Sequence, residues 1–161
     1  MSTADAPLPI APDVAGPPPR LLLVRAPYYQ DVVNGMTWGA ARILDQAGAT
    51  HETLSVAGSF ELPQAIRIVL QGAEKFDGFV ALGCIVRGGT DHYDYICRAT
   101  ISGLMDVALH FGIAMGSGVL TVHSIEQAVA RSRRDGYNKG AEAAVAALLQ
   151  INVARRYGTN S

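Results

Sequence analysis

The sequence predicts an α/β protein: a central four-stranded parallel sheet with helices on both faces, a three-layer α/β/α sandwich. Three observations predict it. Short apolar runs alternate with longer segments whose apolar residues recur at helical spacing. Two of the runs, Leu21 to Val24 and Phe79 to Val86, are almost unbroken in apolar character, as strands covered on both faces are. Glycines and a proline stand where the helical segments start and stop. The order is βαβαβαβ followed by two helices, which calls for crossover helices and a parallel sheet.

The elements follow in order. Residues 1–19 hold six of the eight prolines and few large apolar side chains. Such a segment cannot offset its ordering entropy alone. It reads as a flexible, proline-rich arm ahead of one domain spanning 20–158. Leu21-Leu22-Leu23-Val24 is the first strand. Gln30 to Ala47 carries Val32, Val33, Met36, Ala40, Ile43, Leu44 and Ala47 at helical spacing, and Gly48 ends it. His51 to Val56 alternates and forms the second strand. Pro63 suits the first turn of a helix that runs through Ile66 and Leu70 to Gly72. Phe79 to Val86 is the third strand. Tyr93 to Phe111 is a long helix stopped by Gly112, and Ile113 to Val122 is the fourth strand. Ser124 caps a helix over Ile125 to Arg133, with Gln127 completing a capping box. Alanine-rich Asn138 to Tyr157 is the last helix.

Thirteen Lys and Arg against fourteen Asp and Glu leave a formal charge of −1, so no basic field invites nucleic acid or an anionic membrane. The longest apolar run is far short of the roughly 20 residues that cross a bilayer. Met1-Ser2-Thr3-Ala4-Asp5 does not open a secretory signal, and a cytoplasmic protein with two free thiols, Cys84 and Cys97, is expected. The apolar set reaches 49% before glycine is added, with 17% charged. That balance predicts a homo-oligomer that hides further surface between copies.

Ligands of open α/β sheets bind at the carboxyl ends of the strands. The candidate residues collect there: Tyr28 and Tyr29 after the first strand, Ser59, Phe60 and Glu61 after the second, Arg87 to His92 after the third. In Gly83-Cys84-Ile85-Val86-Arg87-Gly88-Gly89-Thr90-Asp91-His92-Tyr93-Asp94-Tyr95, two glycines precede a histidine at a helix mouth. This reads either as a tight turn with a capping residue or as an anion nest beside a proton-transfer imidazole. Tyr28 and Tyr29 read as exposed loop tyrosines or as a stack for a planar ring. Glu61 reads as a helix-dipole partner or as an acceptor for a polyol. Neither a dinucleotide fingerprint nor a Walker loop is present, and no His, Cys or carboxylate set has metal-ligand spacing.

The motifs Gly58-Ser59-Phe60-Glu61-Leu62-Pro63, Gly83 to Asp94, Gly118-Val119-Leu120-Thr121, Ile125-Glu126-Gln127-Ala128 and Asn138-Lys139-Gly140 are, in their order and spacing, similar to those of the lumazine synthase family, over about Leu21 to Tyr157. The resemblance implies a flavodoxin-like sandwich and a transferase of riboflavin biosynthesis. It implies condensation of 5-amino-6-(D-ribitylamino)uracil with 3,4-dihydroxy-2-butanone 4-phosphate to 6,7-dimethyl-8-ribityllumazine, with release of phosphate and water and without metal or redox cofactor. Carried over by position, Tyr28 stacks on the pyrimidine and Tyr29 contributes its backbone. Ser59, Phe60 and Glu61 hold the ribityl chain and pyrimidine. Cys84, Ile85 and Val86 line the ring, and Gly89 and Thr90 form the phosphate turn. His92 transfers protons, Arg131 binds the ketone phosphate, and Lys139 lies near the uracil. The family builds each site between two subunits of a pentamer. One position departs: Ser117 stands where the family often has an aromatic wall from the neighbouring subunit. A non-catalytic binder of lumazine or flavin, and a flavin carrier, are the competing readings.

Overall fold

The computed structural model describes residues 8–135 and 137–158. Strands β1 (Arg20–Arg25), β2 (Thr50–Ser55), β3 (Gly78–Val86) and β4 (Ala114–Val122) lie in the order β2-β1-β3-β4, every pair parallel. Between and after them run α1 (Gln30–Gln46), a 3₁₀ turn (Ser59–Glu61), α2 (Leu62–Gln71), α3 (His92–Phe111), α4 (Ile125–Ala130) and α5 (Lys139–Tyr157). The expected flavodoxin-like three-layer fold is the observed one.

Side-chain alternation along β1 divides the core. Leu21 and Leu23 face one side and pack with Met36, Ile43 and Leu44 of α1 and with Leu148 and Ile151 of α5. Leu22 and Val24 face the other and pack with Leu62 and Ile66 of α2 and Leu104 of α3. Each of these large side chains is essentially lost to water, worth about 1.5–3 kcal/mol apiece before entropy is counted. On the first side α5 presses unusually close. A Cβ at Gly116 of β4 would overlap the backbone of Ala143, which is why α5 turns alanines toward the sheet.

Asn138 is fully buried where α5 begins. Its Nδ2 donates to the carbonyls of Gly35 (3.0 Å) and Arg133 (2.8 Å), and its Oδ1 accepts from Ala141 N (3.1 Å). One side chain thus caps α5, ties it to α1 and fixes the loop carrying Arg131 and Arg133. Before β1, Ala15 N donates to Asn152 Oδ1 (3.0 Å), Asn152 Nδ2 donates to Asp13 O (2.8 Å), and Arg155 donates to the carbonyls of Ala15 and Pro17.

Three details differ from the sequence reading. Helix α4 ends at Ala130 rather than Arg133, because the chain tightens there: Arg131 N donates to Ala128 O (3.1 Å), and Lys139 N takes the Arg131 carbonyl (2.9 Å). The capping box is shifted: Ser124 Oγ accepts from Gln127 N, but Gln127 Oε1 accepts from His123 N (2.9 Å). Strand β2 is a solvated edge, with no fully buried side chain. No helix among the described residues is long and apolar enough to cross a membrane.

Candidate active site

A cleft of about 580 Å³ opens at the carboxyl ends of β1, β2 and β3. Its floor is the last turnable stretch of β3, Cys84, Ile85 and Val86. Tyr28 and Tyr29, edge to face with ring centroids 5.3 Å apart, form one wall. Tyr28 is 77% exposed, so most of its ring faces solvent. The turn after β2 forms the opposite wall, with Ser59 buried, Phe60 half exposed and Glu61 half buried. Gly83 permits this approach: a Cβ there would lie 2.7 Å from Ser59 Oγ. His92, the first residue of α3, closes the cleft with Ile96 one turn later.

The cleft is therefore an apolar floor and aromatic walls with three polar groups, the Ser59 hydroxyl, the Glu61 carboxylate and the His92 imidazole. Burial pushes the Cys84 thiol up from 9.0 to about 11, so this thiol is neutral and neither a nucleophile nor a charge at working pH. Such a surface suits a planar heterocycle with a hydroxylated chain. Among the described residues, no group of three His, Cys, Asp or Glu side chains is arranged to hold a metal ion.

Nine of the residues singled out by sequence meet in this cleft: Tyr28, Tyr29, Ser59, Phe60, Glu61, Cys84, Ile85, Val86 and His92. The others do not line it. Gly89 and Thr90 lie exposed in the loop between β3 and α3. The left-handed conformation that would turn a glycine pair into a nest is absent: the positive-φ residues among those described are Gly16, Gly48 and Gly112. Ser117 is exposed on edge strand β4, paired with Ala81. Arg131 Nη1 donates to Gln127 O (2.9 Å), and Lys139 Nζ pairs with Glu142 (2.6 Å). Sequence reasoning missed Ile96 as a lining residue. Ile96 was within reach of it, since a residue four after His92 shares its helix face.

The sequence profile of 6,7-dimethyl-8-ribityllumazine synthase matches residues 18–155. The chain belongs to the lumazine synthase family. It is 43% identical over 145 residues to 6,7-dimethyl-8-ribityllumazine synthase 1 of Rhizobium meliloti (strain 1021), covering 88% of this chain and 95% of that one. It is 42% identical over 144 residues to the synthase of Agrobacterium fabrum (strain C58 / ATCC 33970), covering 87% and 97%. With the synthase of Paramagnetospirillum magneticum (strain ATCC 700264 / AMB-1) the identity is 40% over 148 residues, covering 88% and 99%. The lumazine synthase match runs from just before β1 almost to the end of α5. Both the cleft and the residues outside it, Ser117, Arg131 and Lys139, fall within it.

Proposed function

We infer that this protein is a 6,7-dimethyl-8-ribityllumazine synthase, a transferase that joins 5-amino-6-(D-ribitylamino)uracil to 3,4-dihydroxy-2-butanone 4-phosphate in riboflavin biosynthesis. The observation that carries the reading is the cleft itself. In a member of this family, an aromatic wall, a Ser59–Glu61 turn and His92 meet at the strand ends. The pyrimidine lies against Tyr28 with the backbone of Tyr29 beside it, over Cys84, Ile85 and Val86. Ser59, Phe60 and Glu61 hold the ring and its ribityl chain.

The chemistry is redox neutral. The 5-amine attacks the ketone carbonyl and water leaves, giving an imine. A proton leaves the adjacent hydroxyl-bearing carbon as the neighbouring C–O bond to phosphate breaks. The enol that results becomes a second carbonyl, the ribitylamino nitrogen attacks it, and a second water leaves as the ring closes. His92, at the cleft edge, moves these protons. Much of the remaining acceleration comes from holding two substrates in register. Gly89, Thr90 and Arg131 bind the phosphate, and Lys139 lies near the uracil.

Ser117, Arg131 and Lys139 do not line the cleft of their own chain, and α3 leaves Ile101, Met105 and Leu109 exposed along one face. Both support a pentamer in which a neighbour completes each site. We assign the enzyme to the cytoplasm, in keeping with the two free thiols, and give it no nucleic-acid or membrane partner. Mixing the protein with both substrates and following lumazine fluorescence tests the reading. Product formation is expected, and none would leave a binder or carrier. His92→Ala should lower kcat about a hundredfold or more, and Arg131→Ala should chiefly raise KM for the phosphorylated ketone.

A further inference from the structure

We propose that Arg87 is a positioning residue that clamps the first turn of α3 and so fixes His92, rather than a ligand of the phosphate. The proposal rests on the function inferred above. The loop from Arg87 to Asp91 joins β3 to α3 and carries Gly89, Thr90 and, at its far end, His92. Little within that loop holds it. A Cβ at Gly88 or Gly89 would meet nothing, Thr90 and Asp91 are exposed, and no side chain caps the N-terminus of α3. An uncapped first turn leaves amide groups without partners and frays.

Arg87 supplies the restraint from outside. Its backbone N–H donates to Val122 O (2.9 Å), which fastens the loop to the end of β4. Its guanidinium meets both carboxylate oxygens of Asp94, Nη2 to Oδ1 at 2.7 Å and Nη1 to Oδ2 at 3.4 Å. The same guanidinium lies 4.4 Å from the ring centroid of Tyr93. Tyr93 is buried, with its ring edge-on to His123 at 6.2 Å. One side chain therefore grips the two residues next to His92 along the helix, Tyr93 and Asp94, and hence the rotation of that turn. A guanidinium already committed to Asp94 and Tyr93 is poorly placed to follow a phosphate, whereas a displacement of the turn it holds would carry His92 off its target.

The Arg87 and Asp94 side chains are 41% and 53% exposed. Exposed pairs add little to global stability, so the effect of breaking this one is local. The test uses the full-length assembled enzyme in four forms: Arg87→Gln, Asp94→Asn, the double variant, and Arg87→Lys. Each single variant is expected to lower kcat about ten- to hundredfold, with KM for the pyrimidine within about twofold of the parent. The double variant should be no worse than the singles, because the two residues act as a unit. Arg87→Lys, which keeps the charge but loses the fork, should recover part of the loss. Apparent Tm should stay within about 3 °C of the parent. Amide exchange over residues 88–95 should quicken in both singles and remain unchanged elsewhere. The inference is overturned if kcat and exchange stay at parent values, or if only KM for the phosphorylated ketone rises. If the parent itself makes no lumazine, the functional reading fails, and the exchange data alone then decide whether Arg87 clamps the turn.

Discussion

The two faces of the sheet are closed to different degrees, and α5 and α3 make the contrast plain. Helix α5 buries seven residues, most of them alanine or glycine, so its backbone lies almost on the strands. Helix α3 is one residue longer yet buries only Tyr93, Thr100 and Leu104. Ile101, Met105 and Leu109 of α3 and Ile68 of α2 remain 44 to 74% exposed. The α5 face is closed tightly against the sheet, although Leu149, Val153 and Tyr157 on its outer side stay 49 to 70% exposed. The open face carries the apolar surface of an interior without a partner for it, and His92 stands at its edge. The face that draws α5 onto the strands is thus separate from the α3 face through which we propose that copies meet.

That separation is open to attack at several points, the most severe first. Gly116→Val puts a side chain where Ala143 already sits and should drive α5 off the sheet, at a cost of about 3 kcal/mol or more. Loss of ordered protein by circular dichroism is the expected result; a normally folded variant would contradict the close approach. Met105→Asp acts on the open face alone. Its helical signal should persist while the particle shrinks in sedimentation toward the 17.0 kDa subunit. An unchanged assembly would mean that α3 is not the contact.

The thiols separate the faces more gently. Cys84 belongs to the closed core, and its burial leaves about a hundredfold less thiolate at pH 8 than a group at 9.0 would have. Cys97 on α3 is also raised, chiefly by burial, but is half buried rather than enclosed. Alkylation mapped by mass spectrometry should find Cys84 the slower of the two. The sign for stability follows from the raised value. The folded state keeps the Cys84 proton longer than the unfolded one, so its contribution is intact below pH 9 and is lost as pH rises toward 11. The smallest effect is expected at Ser117→Phe. An added aromatic on β4 should lower KM for the pyrimidine severalfold, about 0.5–1.5 kcal/mol of ring contact. Unchanged or weaker pyrimidine binding would remove Ser117 from any role as a neighbour's wall.

Most of the fold was legible because its signals are local. Gly48, Gly112, Pro63 and Ser124 each act within a turn of where they stand, so the helix limits followed from them closely. The end of α4 did not, because it is set by a hydrogen bond from Lys139, eight residues on. The site divided in the same way. Residues that follow β1, β2 and β3 converge because parallel strands end together, and the cleft they line needed only the strand assignments. The clamp of Arg87 on Asp94 was invisible beforehand, since it depends on how the loop folds back over seven residues. Ser117, Arg131 and Lys139 follow no strand end of this cleft, and the cleft described above holds none of them.

The helix that seals the closed face follows every strand that it covers along the chain. Until the stretch from Ala141 to Ile151 has left the ribosome, only α1 and α4 cover strands β3 and β4 on that side. A nascent chain without α5 therefore bares part of a second apolar sheet face, and contacts between neighbouring polysomal chains would pair the wrong surfaces. Because α5 follows every strand, the sheet gains its last cover on that side only once this helix has been made.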